Sequence, residues 1–167
     1  LTIFLAYFYL MHEVCRNQMA KPLRIIGSTD CVDFPDADIE NLPCKIDTGA
    51  SISAIHAHRL RIIEKNGQEY LSFKLLDRKH PQFNNKEIVT ASFSEKRIKN
   101  SFGDTEDRYQ VKLRVKLFGK TFNTFFTLTD RKQMTYPVLL GKKFLSGKFL
   151  VDVSQHNLSY NKKTGKK

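Results

Sequence analysis

The chain has 167 residues, 28 of them basic and 17 acidic, for a net charge of +11. That length supports one domain with a sizeable core and argues against two large ones. Eight Gly and five Pro exclude a low-complexity chain. The charge is uneven: residues 1–50 carry a net −3 and residues 51–167 a net +14. Such a surface attracts polyanions, or is simply rich in solvated lysine.

The first eleven residues, "LTIFLAYFYLM", are apolar but too short to span a bilayer in the usual way. No basic segment precedes them and no small-residue cleavage site follows. "MAKPLRIIG" from Met19 reads as a natural start. Residues 1–20 are therefore expected to be an N-terminal extension, with the domain at 21–160 and a basic, frayed tail at 161–167. Cys15, Cys31 and Cys44 show no C-x-x-C spacing; they fit free thiols in a reducing compartment, and the cytoplasm is expected.

From Lys21 onward short apolar runs alternate with polar turns. "LRIIG", "CVDF" and "CKID" read as short strands. "ISAIHAHRLRII" fits helix or strand. "EYLSFKLL" alternates as a strand does. Val111, Leu113, Val115 and Leu117 alternate with Lys112, Arg114 and Lys116, a period of two with a charged outer face. "FGKT" turns the chain into "FNTFFTLT", completing a hairpin. Upstream, two strand-like arms flank Gly103 as a long exposed hairpin. "PVLLGKKFL" is an apolar run broken by Gly141, with a short helix after it. The expected class is all-β with one or two short helices.

The chemistry concentrates in "KIDTGASIS". Ile46 anchors a strand, Asp47 presents a carboxylate and Thr48 offers a hydroxyl to lock the turn. Gly49 permits unusual backbone angles, and Ala50 keeps the space small. The same residues suit a plain turn closing a strand. "GKT" at 119–121 lacks the upstream Gly of a phosphate-binding loop. His56 and His58 share a strand face but have no evident third ligand. His56 reads as a packed or hydrogen-bonded histidine and His58 as a surface one. No cofactor and no metal are expected.

"KIDTGASISAIHA", "RIKNSFG", "FTLTDRKQMTYPVLLGKKFL" and "FLVDVS" together resemble the retropepsin-like aspartic proteases. The resemblance is to their bacterial family often labelled "ATP-dependent zinc protease", and it covers roughly residues 24–154. Members are frequently associated with ATP-grasp enzymes that ligate glutamate onto ribosomal protein tails. The resemblance implies a single closed acid-protease barrel and peptide hydrolysis by a homodimer. Paired Asp47 carboxylates would activate a water, with Asp47, Thr48 and Gly49 catalytic. It also implies a flap in the Gly103 hairpin. Ala50, Arg97, Lys99, Ser101 and Arg108 would bind substrate, plausibly an acidic or poly-glutamate peptide. Gly141 would let residues 138–140 pack behind the turn. Viral members carry an Asp–Arg pair where this chain has Ser51 and Lys142, so that buttress is expected to be missing. The alternative is a non-catalytic module on the same barrel that binds acidic peptide. No membrane partner is expected, and no aromatic RNA-binding motif supports nucleic acid.

Overall fold

A computed structural model describes residues 22–99 and 105–166. The expected extension at 1–20 lies outside the described residues. Eleven strands carry the fold among the described residues. They are β1 (Arg24–Ile26), β2 (Thr29–Phe34), β3 (Ile39–Ile46), β4 (Ser53–Lys65), β5 (Gln68–Leu75), β6 (Glu87–Thr90), β7 (Phe93–Lys99), β8 (Thr105–Leu117), β9 (Lys120–Thr129), β10 (Val138–Leu140) and β11 (Phe149–Val151). Two short helices, α1 (Lys142–Leu145) and α2 (Leu158–Thr164), and a 3-10 turn at Pro35–Ala37 complete it.

The alternation in β8 is real. Val111, Leu113, Val115 and Leu117 are buried while Lys112, Arg114 and Lys116 are exposed. Each buried side chain contributes up to about 1.5–3 kcal/mol of burial free energy. β8 pairs antiparallel with β9 from Gln110↔Thr127 to Leu117↔Lys120. Phe118 and Gly119 join them with φ of 52° and 73°, the two positive angles that a tight hairpin turn needs. "GKT" is thus the start of a hairpin arm.

"ISAIHAHRLRII" forms the strand β4. Ser53–Ala57 are all buried, on both faces of the strand, while β9 pairs parallel along one edge and β10 antiparallel along the other. A strand covered on both faces loses its alternation, so its periodicity was uninformative. A register shift follows between His58 and Arg61, with Arg59 at φ 55°. Beyond this bulge β4 runs out with β5 as a more exposed hairpin.

The sheet is not the single closed barrel expected: β10-β3-β2-β8-β9-β4 returns to β10, but β5, β6 and β7 run beyond that ring. The larger sheet runs β10-β3-β2-β8-β9-β4-β5-β6, with β10 also pairing β4 and β7 branching from β8. It has open edges at β6 and β7, and β2 meets β8 through one residue pair, Asp33↔Lys116. β1 and β11 form a separate two-stranded parallel sheet. The core lies inside the larger sheet, where Phe34 meets Phe126 edge-on at 5.4 Å. Phe122, Phe144 and Phe149 carry it toward β11.

The tail expected to fray instead continues α2 through Thr164. Asp30, on β2, is 1% exposed and accepts the N–H groups of Ser159 and Tyr160 at 2.8 and 3.0 Å. A distant strand caps the helix, because Asn157 at its start makes no side-chain cap. Among the described residues, no helix is long and apolar enough to cross a membrane.

Candidate functional site

Asp47 is held by backbone on one side and by its own turn on the other. β3 ends at buried Ile46, whose N–H donates to Ser28 O at 2.9 Å. The Asp47 N–H donates to Leu140 O at 2.9 Å, tying the residue to β10. Its Oδ1 accepts the N–H groups of Gly49 and Ala50 at 2.8 and 3.1 Å. The carboxylate therefore locks the turn, a task expected of the Thr48 hydroxyl, and Thr48 itself is exposed. Gly49 does not adopt a positive φ; a Cβ there would lie 3.1 Å from Asp47 Oδ1.

Gly141 allows the closest approach in the region. A Cβ there would sit 2.7 Å from the Ile52 carbonyl carbon and 2.9 Å from Ala50 O. Its N–H donates to Ser53 Oγ at 3.1 Å. The next two N–H groups, of Lys142 and Lys143, donate to Ala50 O and Ser51 O at 2.8 and 3.1 Å. Backbone bonds thus join the positions where a side-chain ion pair is missing.

Arg131 follows β9 and brings a positive charge to this region. It is half-buried, and its Nε donates to Tyr136 O at 3.1 Å. Burial pushes its pKa down, as does the positive charge of Arg108, while Asp47 opposes them. An arginine stays protonated throughout. Two guanidinium groups, that of Arg108 paired with Glu106, and the Asp47 carboxylate therefore share a field.

The β7–β8 ribbon divides the other expected binding residues. Arg97 stands opposite Asp107 and pairs with it at 3.1 Å. Arg108 stands opposite Lys96, one position out of phase, and so lies on the other face. It pairs with Glu106 at 2.6 Å and is the ribbon residue that acts on Arg131. Lys99 ends β7 opposite Thr105, and Ser101 lies outside the described residues.

His56 is 4% exposed, and its Nδ1 accepts the Arg131 N–H at 2.9 Å. His58, expected at the surface, is half-buried with its ring 5.6 Å from that of Phe83. Among the described residues, no group of three or more His, Cys, Asp or Glu side chains is placed to hold a metal ion. Two cavities, of about 220 and 190 Å³, lie beside α2 and beside Phe149, and neither is lined by Asp47. Arg131 was invisible as a site residue in sequence. It sits in the polar stretch "TDRKQ", where a basic residue has no periodicity to single it out.

The Asp-Thr-Gly turn backed by the Gly141 segment is that of a retropepsin-like chain. A family model described as the retropepsin-like aspartic endopeptidase RimB matches residues 25–162, and the chain belongs to this RimB-like family. Two Shewanella proteins, from S. pealeana and S. halifaxensis, are each 35% identical over 135 residues. Both are named probable alpha-L-glutamate ligases. That match takes in 78% of this chain but only 29% of theirs. A Desulfotalea psychrophila protein of the same name is 29% identical over 133 residues, covering 77% of this chain and 28% of its own. A solved Legionella pneumophila protein of unknown function superposes with a TM-score of 0.60 at 26% identity. It covers 81% of this chain and 98% of that one.

These findings correct the expected peptide hydrolase. The relatives are named as probable alpha-L-glutamate ligases, not as peptidases. Within the chain, the Asp47 Oδ1 is engaged by its own turn. The sheet that carries it has open edges. The metal- and ATP-independent aspartic endopeptidase acting through paired Asp47 is therefore withdrawn. So is the alternative built on a closed barrel.

Proposed function

We propose that this chain is a domain of the alpha-L-glutamate ligase type, and that it seats the glutamate-bearing peptide during amide-bond formation. The observation that carries this reading is the 135-residue match, at 35% identity, to proteins named as such ligases. The match spans 29% of those proteins, and the bond-forming step is assigned to the part of them that lies outside it. What this domain offers is positive charge beside a rigid turn. Arg131 supplies that charge, and a half-buried guanidinium binds carboxylate through paired N–H donors. The turn at 47–50 and its bonds to residues 140–143 hold that surface in place. Arg97, engaged with Asp107 on the opposite face of the ribbon, takes no part.

The test is calorimetric binding of a peptide ending in several glutamates, beside the same peptide with glutamines. The glutamate peptide binds, and added salt weakens it. Equal binding of the two peptides contradicts the reading, and so does shortening of the glutamate peptide in the mixture.

A further inference from the structure

We propose that His56 is a positioning residue that sets the place of Arg131, and that a proton taken up by His56 releases it. The consequence for peptide binding rests on the function proposed above; the latch itself does not. His56 is fixed on every side. Its N–H donates to Pro137 O at 2.8 Å, and its carbonyl accepts the Leu76 N–H at 3.0 Å. The ring is nearly without exposure, and each ring nitrogen meets a different loop.

The bond at Nδ1 decides the tautomer. A nitrogen that accepts the Arg131 N–H at 2.9 Å carries no proton, so the neutral ring holds its proton on Nε2. Nε2 faces Asp77 Oδ2 at 3.3 Å and donates to it. Nδ1 also faces a second carboxylate, Asp130 Oδ1, at 3.7 Å. Protonation turns Nδ1 from acceptor into donor. The Arg131 N–H then loses its partner, and the new N–H points at the carboxylate one residue earlier. One proton thus exchanges residue 131 for residue 130 at the same ring atom.

The charged groups around the ring are Asp77 and His80 on the loop after β5, Asp130, Arg131 and Lys132 after β9, and His58 on β4 itself. Lys132 pairs with Asp130 at 3.0 Å, and its N–H donates to Asp130 Oδ1 at 2.9 Å. That carboxylate is therefore held ready beside the ring. Arg131 keeps its second anchor, at Tyr136 O, so the expected change is a loosening of its base with the fold intact.

The experiment is nuclear magnetic resonance of the unmodified chain, following the His56 ring nitrogens and the Arg131 amide between about pH 5 and 8. The expected result is a proton on Nε2 at the high end. The Arg131 amide signal should move in step with the ring, its protection from exchange falling about tenfold as the bond is lost. A ring protonated on Nδ1 at high pH overturns the proposal, and so does an Arg131 amide indifferent to the ring's titration. His56→Asn supplies an oxygen near the Nδ1 position that cannot titrate. It should keep glutamate-peptide affinity at pH 8 and lose the weakening toward pH 5 seen in the unmodified chain. If this variant weakens on acidification as the unmodified chain does, His56 is not the latch. If no glutamate peptide binds at any pH, the ligase reading fails and the amide signal alone decides on His56.

Discussion

Arg131 and Gly141 act on the same turn by different physics. Arg131 supplies charge from a half-buried position, so Arg131→Gln removes the charge while keeping much of the shape. It should lower affinity for a glutamate-ended peptide about tenfold or more and leave the denaturation midpoint nearly unmoved. A calorimetric titration beside a urea melt reads both. Gly141 supplies an absence. Any Cβ there runs into the Ile52 and Ala50 backbone, which has no rotamer to yield. Gly141→Ala should cost about 1–3 kcal/mol, seen as a lower urea midpoint, and should weaken peptide binding by displacing residues 47–50. Of these two residues the sequence made only one conspicuous. A Gly that interrupts "VLLGKK" shows itself, whereas Arg131 gains its place from a fold that brings the end of β9 beside the turn after β3.

At the scale of elements, alternation was readable wherever one face of a strand meets water. β8 and its hairpin with β9 follow from the spacing of four apolar residues and the Phe118-Gly119 turn. β4 was not readable, because its first five residues are covered on both faces. α2 was missed for another reason: its cap comes from Asp30, 129 residues before Ser159, and no local pattern records that. Asp30→Ala should strip the first turn of α2 of its acceptor and cost about 1–3 kcal/mol. Amide exchange across 158–164 should rise more than in β8. Burial holds the Asp30 carboxyl above its ordinary value, against the three N–H groups that lower it. The stabilisation carried by its protonated form is therefore complete below about pH 4 and lost as pH rises through the raised value.

For the whole molecule the acid response has two further parts, both opposite in sign to that of Asp30. Burial, then the charge of His56, holds His80 below its ordinary value. The folded state resists protonating it, so stability falls as pH drops below about 6.5. Asp36, Asp77, Asp130 and Asp152 are also lowered. The causes are respectively the Arg114 side chain, the Lys79 and Lys132 backbone N–H groups, and the Ser154 hydroxyl. Their contribution is present above about pH 4 and lost as pH falls through the lowered values. Urea midpoints should therefore rise as pH climbs to about 4 and rise again on approach to about 6.5, with Asp30 acting the other way in between; a profile flat or falling in both windows would contradict this assignment.

The same scale shows what the family resemblance carried and where it misled. It located the Asp47 turn and the Gly141 segment, since both are short and contiguous. The closed barrel was a matter of which strands pair, and here β5, β6 and β7 extend the sheet into open edges. The catalytic reading depended on a second Asp47 from a partner copy, and it is the names of the relatives that speak against it. A domain that seats glutamate chains for ligation is tested most directly by titrating the chain with a glutamate-ended peptide and weighing the peptide afterwards. The account predicts saturable binding that salt and Arg131→Gln both weaken, with the peptide mass unchanged. Binding that ignores both, or a peptide recovered in shorter pieces, would contradict it.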